Sequence, residues 1–202
     1  MTATELKQFY EKLYFHEIDS RDKIQGRLQL SLTLLLAVGG AVVFLFQNFD
    51  YQSGAWTPLR WTFAFFFSVG TGLLVSAMVF FVNAFYNSTY YFLPDSRQTA
   101  DYKELLEKTY GDFDARERLV SEAMDQYVVG SYIEYAAFNT RTNDRRSAYL
   151  HLRNGSVVGS AVLFIFAFLA FYIGDLDKGK IKPPTEVSIT RPIDVRMIEN
   201  RK

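Results

Sequence analysis

Three stretches of the chain contain no Lys, Arg, His, Asp or Glu, and they cover residues 28–49, 61–94 and 155–174. A helix needs about 20 apolar residues to cross the hydrocarbon core of a bilayer, and each stretch is long enough. The pattern therefore predicts an all-α membrane protein with about three transmembrane helices. The alternative of a soluble protein with three buried apolar helices is disfavoured, because too few residues remain to cover them.

The second stretch is longer than a membrane span requires. Its last part, NAFYNSTYYFLP, is rich in Tyr and Asn, which suits the membrane interface better than lipid. We therefore expect a transmembrane hairpin over residues 28–86, with spans at about 28–49 and 61–85, and a third transmembrane helix over residues 155–174.

The first 27 residues precede the first span and predict an amphipathic helix that leads into it. Their apolar residues recur at helical spacing, at Leu6, Phe9, Tyr10, Leu13 and Tyr14. Because 27 residues with five basic and five acidic side chains come first and no A-x-A-like site follows, the span is not typical of a cleaved signal peptide. The amphipathic helix either packs on the rest of the polar part or lies on the lipid surface.

The segment 87–153 is the largest polar part, and we expect a cytoplasmic helical hairpin there. Tyr102, Leu106 and Tyr110 predict a short helix that Gly111 ends. Asp114 followed by Glu117 resembles a capping box and predicts the start of a longer helix that continues toward the third span. The soluble part of this segment, residues 97–153, has about 57 residues and makes only a thin core, so the hairpin needs a partner surface.

The tail, residues 175–202, differs from the rest of the chain. Its apolar–polar alternation in EVSIT and DVRMI is interrupted by prolines, so it is predicted to be extended or disordered.

Lys and Arg are more numerous beside the spans on the side that holds residues 1–27 and 87–153. By the positive-inside rule this places the N-terminus in the cytoplasm and the tail outside.

Composition narrows the classes of function further. The chain has 202 residues with 22 basic and 22 acidic side chains, which gives no reason to expect a nucleic-acid partner. It has no Cys, which excludes disulfides and thiolate metal sites, and only two His, which predicts no metal site. No catalytic motif or cofactor-binding motif is recognisable, so we expect a protein that is not an enzyme and has no cofactor.

The most suggestive polar pattern is a stripe formed by Asn139, Asn143 and Arg146. Steps of four and three residues put the three side chains on one face of a helix. Two amides and a guanidinium can bind a polar ligand or donate hydrogen bonds across a helix interface. The other interpretation is that they cap the helix junction just before the third span, or form hydrogen bonds with other polar groups there.

Arg146 and His151 also have the R-x4-H spacing of the HEPN ribonucleases. Residues five apart differ by about 140° around a helix, so one subunit does not focus both groups on one phosphate. A membrane-tethered nuclease is therefore the weakest hypothesis.

Small residues recur in the predicted spans at the spacing that lets helices approach closely in lipid. They are the GxxxG pair Gly155 and Gly159, the stripe of Ser68, Gly72 and Ser76, and the pair Ala37 and Ala41. Three such faces on three helices favour contacts beyond one subunit and indicate a homo-oligomer.

The order of parts resembles a known group of proteins. YEKLYFHEIDSRDKIQGRLQL leads into a double span, and a polar helical segment ends in AAFNTRTNDRRSAYLHLRNG before a last span. Over most of residues 9–173 this arrangement is similar to the small multi-pass transmembrane effectors of bacterial anti-phage defence, the SLATT-like and Pycsar-type effectors. The resemblance implies an effector in the bacterial inner membrane that oligomerises and perturbs the bilayer after a cytoplasmic signal. The nucleotide-sensing domain that such effectors often carry is not evident.

The alternative function is a membrane scaffold that anchors a cytosolic partner protein. In either case the lipid bilayer is the first partner that the sequence predicts.

Overall fold

The computed structural model describes residues 1–51, 56–86 and 88–179, apart from the side chain of Ala3. Four α-helices account for most of these residues: α1 (Ala3–Asn48), α2 (Pro58–Phe85), α3 (Ser96–Thr109) and α4 (Arg116–Ile173). No strand is present in these described ranges. Three helices, α1, α2 and α4, are long and apolar enough to cross a membrane, with mean hydropathies of 2.2, 2.2 and 2.4 over their most apolar windows.

Local sequence explains where the helices start. α1 begins with a capping box, because the Thr2 hydroxyl accepts from the N–H of Glu5 while the Glu5 carboxylate accepts from the N–H of Thr2. Thr57 caps α2, which has Pro58 in its first turn, and Asp95 caps α3.

α4 begins differently from the sequence-based expectation. Its N-cap is Ala115, and no side chain caps it. Asp114 lies instead in a turn, where the N–H of Arg116 donates to the carbonyl of Phe113 at 3.0 Å. Backbone turns between Tyr110 and Arg116 therefore take the place of the expected side-chain cap.

α1 and α4 each continue without a break from a polar part into an apolar part. We call residues 1–27 and 88–153 the polar half, and residues 28–49, 58–85 and 155–173 the apolar half. α1 and α4 run parallel along one another, and α2 packs against both in the opposite direction. The predicted N-terminal segment and first span are thus one helix of 46 residues.

The buried positions of α4 repeat at intervals of seven residues. One set is Ala136, Asn143, Leu150, Val157, Phe164 and Phe171, and the other is Asn139, Arg146, Arg153, Ser160 and Ala167. Buried residues of α1, together with Phe49 just after it, stand seven or fourteen residues apart, in the sets Tyr14, Leu28, Leu35 and Phe49, and Ile24, Ser31 and Leu45. A seven-residue repeat keeps one narrow seam of each helix against its partner. Outward-facing residues of the apolar half are mostly large apolar side chains, as lipid contact requires.

The far end of the apolar half is closed by backbone pairing between the end of α1 and the residues after α4. The N–H of Asp50 donates to the carbonyl of Leu176 at 2.8 Å, and the N–H of Lys178 donates to the carbonyl of Asn48 at 2.9 Å. Asp175, at φ 48°, turns the chain back after Gly174. We call this pairing the end latch. The rest of the predicted tail, residues 180–202, lies outside the described residues, as do residues 52–55 of the connection between the first two spans.

Candidate functional site

The junction between the polar half and the apolar half contains a buried polar cluster. Asn139, Asn143 and Arg146 of α4 lie one turn apart and are all less than 6% exposed. They face the segment after α2, which runs extended along α4 from Ser88 to Pro94, and they also face α1. We call these three residues, together with Glu17, Gln25, Tyr90 and Tyr91, the junction cluster.

Asn139 holds the backbone of Tyr91 with both ends of its amide. Its Oδ1 accepts from the N–H of Tyr91 at 3.0 Å, and its Nδ2 donates to the carbonyl of Tyr91 at 3.0 Å. The Tyr91 ring stacks on Phe138 with centroids 4.1 Å apart. The Asn139 amide thus gives the N–H and carbonyl of Tyr91 the hydrogen-bond partners that a neighbouring strand would give them in a β-sheet.

Asn143 joins the same segment to α1. Its Oδ1 accepts from the Tyr90 hydroxyl at 2.7 Å, while its Nδ2 donates to the carbonyl and the carboxylate of Glu17 at 2.9 and 2.8 Å. One amide therefore connects three separate parts of the chain.

Arg146 is 3% exposed, and each of its three nitrogens donates a hydrogen bond. The Nε donates to the carbonyl of Ala84 at 2.9 Å, Nη1 to the Tyr90 hydroxyl at 2.7 Å and Nη2 to Gln25 Oε1 at 3.2 Å. Since the Tyr90 hydroxyl accepts from Arg146 and donates to Asn143, the bonds form a continuous chain from the guanidinium to Glu17. Such a chain polarises its members and favours one arrangement of the three helices.

A second contact fixes the same segment closer to the N-terminus of α1. The Tyr14 hydroxyl accepts from the N–H of Leu93 at 3.1 Å, and the Tyr14 ring lies 5.8 Å from that of Tyr132. Burial raises the pKa of the Tyr132 phenol, and the nearby Glu11 carboxylate adds to this effect. The Tyr132 phenol therefore stays protonated to a higher pH than an exposed tyrosine does.

The predicted polar stripe thus lies together in space, and its hydrogen bonds go to other parts of the same chain. His151, the other member of the R-x4-H spacing, is exposed and lines a different cavity from the junction cluster. Groups of three or more potential metal ligands are absent from the residues that the structure describes.

The predicted small-residue faces divide into inward and outward positions. Gly159 lies against α2, where a Cβ would meet Leu73 Cδ1 at 3.2 Å, whereas a Cβ on Gly155 or Gly72 would meet nothing within 4 Å. Ser68 is exposed and Ser76 is half-buried. Ser68 and Gly72 therefore lie on the side of α2 that faces away from the bundle.

Sequence analysis missed the small residues that pack α2 most closely. Gly70 lies against Phe164, and Ala77 and Ala84 are completely buried. Together with Phe63 they stand exactly seven residues apart, and this interval is the signal that would have revealed them. Ser160 of α4 donates to the carbonyl of Gly70 at 2.9 Å, which the absence of a Cβ makes accessible.

In comparisons with known proteins, no family model, no curated protein and no solved structure matches the chain.

Proposed function

We propose that this chain is a membrane effector of the bacterial inner membrane, acting in anti-phage defence as a homo-oligomer that perturbs the bilayer after a cytoplasmic signal. The observation that carries the proposal is the continuity of α1 and α4, because each is a single helix through both halves. A displacement of the polar half is therefore transmitted directly to the apolar half. The defence setting comes from the resemblance described above.

The junction cluster supports this coupling, because it lies where the two halves meet. Its hydrogen bonds join α1, α4 and the segment after α2 at a single level of the bundle. A signal that alters this arrangement changes the relative positions of three helices at once. The outward small residues Ser68 and Gly72 provide a surface on which subunits can approach.

Induced expression in bacterial cells carrying a membrane-potential dye tests the proposal. We expect loss of the potential soon after induction, before the cell density falls. The Gly72→Leu variant should insert normally and fail to cause this loss, because the large side chain blocks the subunit contact. Retention of the potential at every expression level would contradict the effector role.

Cross-linking tests whether the polar half has to move. Lys7 of α1 and Asp125 of α4 form a salt bridge of 2.6 Å, so Lys7→Cys and Asp125→Cys together place two thiols close together in a chain that has no other. In membrane vesicles, a bismaleimide should suppress ion leakage through this double variant. The same reagent on either single variant is the control, since one thiol cannot be cross-linked within the chain. Equal leakage through the double variant and both single variants would mean that leakage does not require movement between Lys7 of α1 and Asp125 of α4.

A membrane scaffold is the second candidate function, and a groove between α3 and α4 favours it. The groove has a volume of about 720 Å³ and is lined by Lys103, Glu107, Arg116, Glu117, Val120, Ser121 and Met124. Because the groove is lined by basic, acidic and apolar side chains, it suits a protein segment that carries both charged and apolar residues. Under this hypothesis, induced expression leaves the membrane potential unchanged, while Val120→Asp releases a cytosolic protein from the membrane fraction.

A further inference from the structure

A second polar cavity lies between α1 and α4, at the level where both helices pass from the polar half to the apolar half. Its volume is about 450 Å³. The polar residues that line it are Arg27, Ser31, Ser147, His151, Arg153 and Asn154. None of the described lining residues is acidic, so the cavity is a cationic site.

Arg153 is the most unusual residue of this cavity. It is only 1% exposed, and no carboxylate of the described residues lies within 4.0 Å of its guanidinium. Its Nη1 donates to Asn154 Oδ1 at 2.7 Å and its Nη2 donates to the carbonyl of Ser31. Its Nε is buried and has no hydrogen-bond partner among the described residues.

A buried charge is costly unless an opposite charge accompanies it. Arg146, about two turns away on the same helix, donates from all three nitrogens, whereas the Nε of Arg153 is unused. The structure therefore provides for an anion beside Arg153 that the chain itself does not supply.

The level of the cavity indicates what kind of anion this is. Arg27 directly precedes the apolar residues 28–49, and Arg153 stands two residues before the apolar residues 155–174. The contact between Arg153 and Ser31 puts both arginines at the same level of the bundle. In a membrane-spanning arrangement, this level coincides with the phosphates of one leaflet.

An apolar cavity of about 500 Å³ lies between α1 and α4 further into the apolar half, and its lining includes Ala37, Ala41, Phe44, Ala161, Ile165 and Phe168. On α1, the lining residues follow from Arg27 through Leu34 to Ala41 in steps of three and four, so both cavities lie on one face. The small alanine side chains leave this apolar cavity open between the two helices.

We propose that these two cavities, which lie on one face of the bundle, together bind one anionic phospholipid. Its phosphate is held by Arg27, His151 and Arg153, and an acyl chain lies along the alanines between α1 and α4. The chemistry that is recognised is a phosphate group, and the apolar cavity makes a lipid rather than free phosphate the source. This assignment requires insertion into a membrane, but it does not depend on the effector role.

Lipid titration into the purified full-length protein in detergent, followed by native mass spectrometry, tests the headgroup. We expect phosphatidylglycerol to bind at least tenfold more tightly than phosphatidylcholine. Arg27→Gln should weaken phosphatidylglycerol binding about fivefold, since each basic residue near a membrane surface contributes about 1 kcal/mol. Arg27 is exposed, so its replacement does not threaten folding, and Arg97→Gln on α3 is the control that should leave binding unchanged. Equal affinity for the two lipids, or an equal effect of both variants, would overturn the proposal.

The source of the phosphate and the occupant of the apolar cavity are tested separately. Inorganic phosphate at millimolar concentration should not displace phosphatidylglycerol, and competition by phosphate alone would assign the site to a free anion instead. Ala161→Leu, which fills the apolar cavity, should weaken lipid binding, whereas Gly40→Leu should not, because a Cβ on Gly40 meets nothing within 4 Å. Loss of oligomers without loss of lipid in Ala161→Leu would mean that a second copy of the chain occupies the apolar cavity.

Discussion

The two halves of α4 use the same seven-residue interval for opposite kinds of contact. In the polar half the buried positions are Asn139, Asn143 and Arg146, and in the apolar half the corresponding positions are Ser160, Phe164 and Ala167. The first set forms directional hydrogen bonds to the segment after α2 and to α1, while the second packs closely against Gly70 and Phe63 and adds one hydrogen bond, from Ser160 to the carbonyl of Gly70. One continuous helix thus carries two different means of holding its neighbours.

The difference follows from what surrounds each half. Lipid chains are as apolar as the helices, so burial provides little force there and close packing has to hold the helices together. In water the polar half has a thin apolar core, and a connected set of hydrogen bonds specifies one arrangement instead. The comparison predicts that substitutions in the polar half act through hydrogen bonds, and those in the apolar half act through volume.

Arg146→Met is expected to have the largest effect. It leaves the carbonyl of Ala84, the Tyr90 hydroxyl and Gln25 without their donor, and the free energy of unfolding should fall by about 3 kcal/mol. Denaturant titration in detergent micelles measures this loss. Arg141→Met, one turn away and exposed, is the matched control. Equal stability of the two variants would show that the junction cluster does not hold the polar half.

Gly70→Leu tests the volume rule in the apolar half. A Cβ at this position would meet Phe164 Cε1 at 3.2 Å and Leu163 Cβ at 3.3 Å, so stability should fall by about 1–3 kcal/mol. Gly72→Leu, two residues further on, meets nothing within 4 Å and should unfold like the wild type in a monomeric state. If Gly72→Leu destabilised the monomer as much, packing of α2 on α4 would not depend on Gly70.

Asn139→Ala should cost about 1.5 kcal/mol, because both backbone groups of Tyr91 lose their partner. Amide hydrogen exchange at Tyr91 should become faster while exchange in α2 stays the same. Thr140→Ala is the control, since the Thr140 hydroxyl donates only to the carbonyl of Ala136 in its own helix. Slow exchange at Tyr91 in both variants would argue against the amide contact.

His151→Ala is expected to have the smallest effect, within about 0.5 kcal/mol, because the side chain is exposed. Thermal unfolding measures the change, and cellular activity is scored at equal abundance in the membrane. Complete loss of activity in a stable His151→Ala protein that still binds phosphatidylglycerol would reopen the Arg146–His151 nuclease hypothesis.

The helices of the apolar half were predictable because lipid requires long uncharged runs, and these runs are visible in any sequence. The contacts of Asn139 were not predictable. Its amide forms hydrogen bonds with the backbone of Tyr91, 48 residues earlier. Every residue has the same backbone N–H and carbonyl, so the sequence pattern does not indicate which backbone groups a side chain will bind. Spacing alone placed Asn139, Asn143 and Arg146 on one face, but it did not identify what lies opposite.

The continuity of α1 was also hidden, because the change from charged to apolar residues near Arg27 resembles a boundary between two elements. The seven-residue interval crosses that boundary unchanged, from Tyr14 to Leu28 and Leu35. The polarity of a segment reflects whether water or lipid surrounds the helix, whereas the seven-residue interval of its buried positions reflects the helices that it packs against. Where the two signals disagree, the interval is the better guide to where a helix ends.

The end latch limits how the bundle can deform. It ties the last residues of α1 to the chain after α4 by two backbone hydrogen bonds, while the junction cluster ties the same helices at the opposite end of the apolar half. With both ends fastened, α1 cannot slide lengthwise past α4 as a piston. Movement between the two helices is then left to their polar segments beyond the junction cluster, where Lys7 of α1 meets Asp125 of α4.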